Sequence, residues 1–262
     1  MVAVHRLPST RNRPPPDPGQ SPNRLLAALP ADEYRRLLPH LKTVSLKFKQ
    51  TLQKADEDVH TVYFPGGGVC SVVTVMEDGR MVEVATVGNE GLIGITAFFG
   101  DERPSGAAMV QVPEVQAQTM SVESFKKEVE RRGPFRDVIS RYGQAFVALI
   151  MQSSACNSLH PVEQRCARWL LMTHDRVGRD EFALTQEFLA VMLGVRRPTV
   201  TIVAGALQKA GLIDYGHKRI VILNRKALEA ASCECHRVVK AHFDRLLSPP
   251  APSARIQRAT VR

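Results

Sequence analysis

The sequence predicts an α+β chain: a β-rich N-terminal domain, then a long helix, then a C-terminal helix-turn-helix carrying a β-wing. Three observations carry this. Thr185 to Ile213 (TQEFLAVMLGVRRPTVTIVAGALQKAGLI) reads as two short helices joined by a tight turn. Thr43 to about Met120 reads as short strands separated by glycines at intervals of about ten residues. After Pro134, apolar residues keep i, i+3, i+4, i+7 spacing over several turns.

Taken in order, residues 1–22 hold six prolines among polar and charged residues and read as a tail without a core of its own. Leu25, Leu26, Leu29, Tyr34, Leu37 and Leu38 give short helices between Asn23 and Leu41. Val44, Leu46 and Phe48 then alternate with Ser45, Lys47 and Lys49, the period-two signature of a half-buried strand. Further strands are expected at Val59–Phe64, Val69–Met76, Met81–Thr86, Ala107–Val112 and Val115–Met120, a set that suits a sandwich or a rolled barrel. Gly66, Gly67 and Gly68 read as a turn, because no lysine–serine pair follows to make a phosphate loop.

The helix from Pro134 carries Phe135, Val138, Ile139, Tyr142, Phe146, Leu149, Ile150 and Ser153. A stripe this wide suits packing on the barrel on one side and a second copy of the chain on the other, so these eight are the expected dimer interface. Pro161–His174 forms another amphipathic helix with Trp169 and Leu170 in the core. In the helix-turn-helix, Ala190 leaves room for two helices to cross, Gly194 makes the turn, and Leu189, Leu193, Val195, Val200 and Val203 lock the pair. Ile213–Leu223 reads as a hairpin turning at Gly216-His217-Lys218, the wing. A helix is expected over Lys226–Leu246, and residues 248–262 form a second tail bearing Arg255, Arg258 and Arg262. The expected divisions are 1–22, 23–133 (β domain), 134–160 (long helix), 161–247 (winged helix-turn-helix) and 248–262.

A helix-turn-helix names double-stranded DNA as the partner, since its second helix fits the major groove. Charge agrees. The chain carries a net charge of +9, and from His160 onward there are 17 basic residues against 9 acidic ones, so nearly all of the excess lies there. Arg196 and Arg197 open the second helix, and an arginine fork matches the O6 and N7 acceptors of guanine. Pro198 fits the first helical turn. Thr199 and Thr201 suit phosphate or a thymine methyl, and Ile202 shares their turn. Lys218 and Arg219 on the wing, and Gln186 at the start of the first helix, are placed for backbone phosphate.

No run of about 18 apolar residues suggests a membrane span, and the N-terminus lacks the apolar core of a secretory signal, so a cytoplasmic protein is expected. No catalytic triad pattern or phosphate-cradling motif points to an enzyme, and no cofactor is expected. The five cysteines, Cys70, Cys156, Cys166, Cys233 and Cys235, are odd in number and read as free. Cys233-Glu234-Cys235-His236 offers zinc-type ligands. On a continuous helix, however, its members point to different faces, so the run reads as ordinary helix residues with no metal, a thiol redox switch being the weaker alternative.

The order of parts resembles the Crp/Fnr family of bacterial transcription regulators over roughly residues 23–245. The likeness is strongest in LTQEFLAVMLGVRRPTVTIVAGALQKAGLI and weaker in VATVGNEGLIGITAFFG. It implies a cyclic-nucleotide-binding-like β-roll (a jelly roll), a dimerisation helix, a palindromic operator read by a homodimer, and RNA polymerase as a further partner. In nucleotide-binding members a glycine–glutamate pair meets the ribose, and an arginine followed by a small hydroxyl residue pairs with the cyclic phosphate. The matching positions here are Gly94 and Ile95, then Gly106 and Ala107, with Arg103 and Ser105 close by. Ile95 cannot accept a ribose hydroxyl, and Gly106–Ala107 offer neither charge nor hydroxyl, so the effector domain is expected to be degenerate, the alternative being a cyclic nucleotide held in an altered cassette by Arg103 and Ser105. Pro198 and Ile202 also depart from the family's usual recognition-helix residues, so the operator sequence is not carried over from the well-known regulators. Family iron–sulfur sensing needs N-terminal cysteines, and none precedes Cys70. As haem ligands His60 and Cys70 lack support, and both read as structural.

Overall fold

The computed structural model describes residues 21–112, 115–216 and 218–247; His217 and nearly all of the two tails fall outside the described residues. The lead segment forms α1 (Arg24–Ala27) and α2 (Ala31–Leu37), followed by a 3₁₀ turn at Leu38–His40. Asn23 explains why α1 starts where it does. Its side-chain oxygen accepts from the N–H groups of Leu25 and Leu26, capping the helix. Its amide donates to the carbonyls of Pro65 at 2.9 Å and Gly91 at 2.8 Å. One buried cap thereby ties the lead to the roll. Ser21, assigned to the tail by composition, is buried and hydrogen-bonded to Gln118.

Seven strands make the roll: β1 (Lys42–Leu46), β2 (Thr51–Gln53), β3 (Thr61–Pro65), β4 (Val69–Val75), β5 (Met81–Val87), β6 (Ala107–Val112) and β7 (Val115–Ser121). They pair antiparallel in two sheets, ordered β1-β7-β3 and β2-β6-β4-β5. The expected strands are present within a residue or two, with one difference at the start. The alternation from Val44 stops at Leu46; the chain turns through Lys49 (φ 62) into β2, and Phe48 is left exposed against Phe188 of the C-terminal domain, ring centroids 6.5 Å apart.

A helix not read from the sequence, α3 (Val122–Glu130), follows β7. Ser121 caps it, its hydroxyl accepting from the Ser124 N–H, and Val122, Phe125 and Val129 form its buried stripe. The long helix α4 runs Pro134–Leu159, and α5 spans Val162–Val177 after a two-residue extended break at His160–Pro161. The eight positions expected at a dimer interface are placed mostly inward. Phe135, Val138, Ile139, Tyr142, Leu149 and Ser153 are buried within the single chain, packed with Leu25, Phe64, Leu92 and Phe125 or against α5, while Phe146 and Ile150 are half-buried. The stripe was the barrel-facing side. The apolar side left open carries Val147, Met151 and Leu159.

The C-terminal domain contains β8 (Glu181–Ala183), α6 (Gln186–Leu193), α7 (Arg197–Lys209), β9 (Ile213–Gly216), β10 (Arg219–Ile222), α8 (Arg225–Ala231) and α9 (Cys235–Leu247). Its sheet has the order β8-β10-β9, so β8 adds a third strand to the expected wing hairpin. The single helix expected over Lys226–Leu246 is two. Ser232 leaves the helical region (φ −83, ψ 157), and α9 restarts at Cys235. This break carries the chain back toward the C-terminal end of α4.

The two domains share packing. Val69, Val73 and Val112 of the roll join Trp169, Leu170, Phe182, Leu189 and Met192 in one apolar cluster. Alternation along β4 matters here. Val69, Ser71 and Val73 face the C-terminal domain, Ser71 reaching Met192, while Val72 and Thr74 face the interior of the roll.

Candidate nucleic-acid interface and effector pocket

The first helix of the motif begins at Gln186. Thr185 caps it, its hydroxyl accepting from the Phe188 N–H at 3.2 Å. It ends at Gly194, a left-handed C-terminal cap. The φ there is 62, and a Cβ at this position would meet Val82 of β5 at 3.2 Å. The chain then reverses and α7 leaves at 102° to α6, within the range that sets a recognition helix across its partner. Val200, Val203, Ala204 and Leu207 hold the inner face of α7 in the core.

Its outer face presents Arg196, Arg197, Pro198, Thr201, Ile202, Gly205, Gln208 and Lys209 to solvent, with Thr199 half-buried at its edge. Between Val195 and Ala210 there is no carboxylate. The helix N-terminus adds its positive dipole end at Arg196–Thr199. Gln186 lies across the groove between the two helices, its Oε1 accepting from Thr201 Oγ1 at 3.1 Å and from Arg197 Nε at 3.5 Å. Arg197 also pairs with Glu187 at 2.8 Å, with both side chains more than 60% exposed. Such a pair is worth little in water and is readily exchanged for phosphate. Thr185, Gln186, Arg197 and Lys218 line one cleft that joins both helices to the wing. Lys218 stands exposed at the wing turn with φ 61. Arg219 is exposed too, but is held by Glu181 (3.3 Å) and Asp214 (3.9 Å), so of the two wing cations Lys218 is the freer. Ile202 is 71% exposed, the most open large apolar side chain among the described residues of the domain.

The positions matched to a nucleotide cassette fall into two groups. Gly94, Ile95, Ser105 and Gly106 line a cavity of about 190 Å³ inside the roll, together with Val72, Thr74, Leu92 and the half-buried Phe146 and Ile150 of α4. No charged side chain lines it. Arg103 and Ala107 do not line it. Arg103 turns outward to Asp58, Nε to Oδ1 2.7 Å, and that guanidinium holds the Asp58 carboxyl below its ordinary pKa. Ala107 pairs with Val73 at the start of β6 and packs toward the C-terminal domain. Gly94 adopts φ 96 as it opens the 3₁₀ turn Ile95–Phe99, a conformation that favours glycine.

Two polar links that the sequence reading missed join the roll to α5, the helix that precedes the motif. Trp169 Nε1 donates to Glu83 Oε1 at 2.8 Å, and Ser71 Oγ donates to Glu83 Oε2 at 2.6 Å. Glu83 is buried, and desolvation pushes its carboxyl up to about 7 against the pull of Ser71, Trp169, Arg168 and Arg176. Beside it Arg176 pairs with Glu90 at 2.8 Å, both side chains 8% exposed, and Arg176 also donates to the carbonyls of Met172 and Thr86. The signal for these was thin: a carboxylate at an inward strand position and an arginine in the last turn of a helix.

The fold is that of a winged helix-turn-helix joined to a cyclic-nucleotide-binding-like roll, the architecture of Crp/Fnr regulators. Residues 164–231 match the Crp-like helix-turn-helix domain family. Among solved structures, a Crp/Fnr-family transcriptional regulator from Eubacterium rectale aligns with a TM-score of 0.61 at 17% identity, covering 81% of this chain and 97% of its own. A CRP-family transcriptional regulator from Thermus thermophilus gives 0.59 at 22%, covering 73% and 96%. The c-di-GMP-responsive global regulator of Xanthomonas campestris gives 0.61 at 15%, covering 74% and 99%. A search of curated protein sequences returned no significant match. Among the described residues no single helix is long and apolar enough to cross a membrane.

Proposed function

We propose that this chain is a sequence-specific DNA-binding transcription regulator, working as a homodimer, whose roll does not use cyclic nucleotides. One observation carries the reading: α7 offers a solvent-facing surface with arginines at its N-terminus and no carboxylate, set at 102° to its supporting helix and flanked by Lys218. At least one of Arg196 and Arg197 reads a base edge, while Gln186, Thr199, Thr201, Lys218 and Arg219 hold phosphate or sugar. Pro198 shapes the first turn, and Ile202 is placed for a thymine methyl. A palindromic operator follows if two copies join through α4, along its open side at Val147, Met151 and Leu159, with Phe146 and Ile150 at the margin. The uncharged cavity suits a small apolar effector and gives an anionic nucleotide no partner; burying an unpaired phosphate is costly. The working division of the chain stays 23–133, 134–160 and 161–247, the last being the DNA-binding unit.

The test is selection from random duplex DNA with purified protein at stepped salt, with and without cyclic AMP. A two-fold-symmetric site that persists at moderate salt and ignores cyclic AMP is the expected result. Binding that follows salt alone would reduce Arg196 and Arg197 to phosphate clamps. A site recovered only with cyclic AMP would overturn the reading of Ile95 and Gly106. Met151→Glu, placing a charge on the open side of α4, is expected to give monomers in sedimentation velocity.

A further inference from the structure

Four side chains outside both sites come together where α4 ends. Cys156 and His160 lie one turn apart on α4 and at its C-cap, and Cys233 and Cys235 arrive from the break before α9. Their four ligating atoms lie within 4.8 Å of one another. Cys156 Sγ is 3.5 Å from Cys233 Sγ, and Cys235 Sγ is 3.6 Å from His160 Nδ1. We propose that Cys156, His160, Cys233 and Cys235 bind a tetrahedral divalent ion of the zinc class, a structural site fastening the long helix to the C-terminal segment.

The edges of the cluster support it. With metal–sulfur bonds of about 2.3 Å and a metal–nitrogen bond of about 2.0 Å, a tetrahedron has sulfur–sulfur edges of about 3.8 Å and sulfur–nitrogen edges of about 3.5 Å. The two distances above sit near these values without rearrangement. The imidazole is also dressed as a ligand should be. Nδ1 faces the cluster, and Nε2 is 3.3 Å from Glu234 Oε2. A carboxylate in that place orients a metal-bound histidine from outside. Gln152 Nε2 donates to Cys235 Sγ at 3.0 Å, as donors do around metal thiolates. All three cysteines are buried. Three thiolates and a divalent ion leave one net negative charge, and the buried Arg168 guanidinium acts electrostatically on Cys156. A Cys156–Cys233 disulfide would leave Cys235 and His160 without a purpose, and the sulfurs stand well beyond the bonding distance of about 2.05 Å. Four protein ligands close the coordination sphere, which fits a structural ion rather than a catalytic one.

The premise behind reading Cys233-Glu234-Cys235-His236 as ordinary helix residues, one continuous helix, does not hold. Because the helix breaks at Ser232–Glu234, both thiols face α4. His236 turns away to Asp175 at 2.8 Å, and the fourth ligand is His160 instead.

The test uses the full-length reduced protein. After chelation and removal of the chelator, Co²⁺ alone is titrated in and the visible spectrum recorded, while protein purified without chelator is analysed for bound metal. Expected are one metal per chain, the intense visible bands of tetrahedral cobalt with sulfur-to-metal charge transfer in the near ultraviolet, and displacement by Zn²⁺. Cys156→Ser is expected to weaken Co²⁺ binding by more than 100-fold. Glu234→Gln, on an exposed side chain that threatens no fold, is expected to weaken it about 10–100-fold. Cys166→Ala, outside the cluster, is expected to leave it unchanged. The proposal is overturned by an absent or weak octahedral cobalt spectrum, by Cys156→Ser binding as tightly as the unaltered chain, or by a Cys156–Cys233 disulfide in protein isolated under reducing conditions.

Discussion

The outer face of α7 and the cavity of the roll make opposite provisions for a phosphate. On α7, Arg196 and Arg197 stand in water at a helix N-terminus, and the close ion pair of Arg197 with Glu187 is exposed enough to exchange. In the roll, the nearby cation Arg103 is turned outward onto Asp58, and the walls are mainly apolar (Val72, Leu92, Ile93, Ile95) with the uncharged polar Gln53, Thr74, Thr96 and Ser105. The difference teaches that the side chains at a site, rather than the fold beneath it, set its ligand chemistry: cations stand in water on α7, and no charged side chain lines the cavity.

The sharpest way to break the comparison is at α7. Replacing Arg196 and Arg197 together with alanine is expected to remove site-specific DNA binding, each base contact being worth about 1–3 kcal/mol; anisotropy titrations on the selected site measure it. An unchanged preference for that site would move the reading face elsewhere. Next comes the contact between the two regions. The Glu83 carboxyl titrates at about 7 when folded against an ordinary 4.5, so the folded state holds the extra proton in that window. Stability from this group is full below about 4.5, falls as pH rises, and is gone above about 7, a span of roughly 3 kcal/mol. Urea unfolding at stepped pH should show that slope, and Glu83→Gln should flatten it. Gly194→Val forces a β-branched residue to a positive φ against Val82. It is expected to cost about 1–3 kcal/mol, read as a lowered thermal midpoint. A smaller effect of opposite sign is expected at Gly205, an exposed glycine inside α7 whose Cβ would meet nothing within 4 Å. Gly205→Ala should stabilise by about 0.5–1 kcal/mol in the same melts. The smallest effect expected is none: cyclic AMP should give no binding heat at millimolar concentration, and measurable heat would sink the contrast between the two regions.

Much of the architecture was legible because local signals agreed with the fold. Gly194, the apolar spacing of Leu189 to Val203 and the flanking arginines specify the motif without tertiary help. The period-two strands were equally plain. What failed did so for reasons of packing. The stripe from Phe135 to Ser153 announces a buried face but not what covers it, and the roll of the same chain covers most of it. The run at Lys226–Leu246 is helical in propensity throughout, so the break at Ser232 leaves little mark. Helix α3 was readable after all: Ser121 with Val122, Phe125 and Val129 is a cap followed by a stripe. The Cys156–His160 spacing of four was a signal as well, though it only gains meaning once Cys233 and Cys235 are folded back beside it. Glu83 and Arg176 meet partners 86 residues away, which no local pattern reports.

Strand β4 has a mechanical consequence. It is a partition a single strand thick, with Val72 and Thr74 on the cavity side and Val69, Ser71 and Val73 on the side of the helix-turn-helix core. Close-packed interiors hardly compress, so a displacement of one surface of such a sheet is delivered to the other. What crosses the wall is volume: a displacement at Val72 or Thr74 reaches Trp169 and Met192 on the far side as a change in packing.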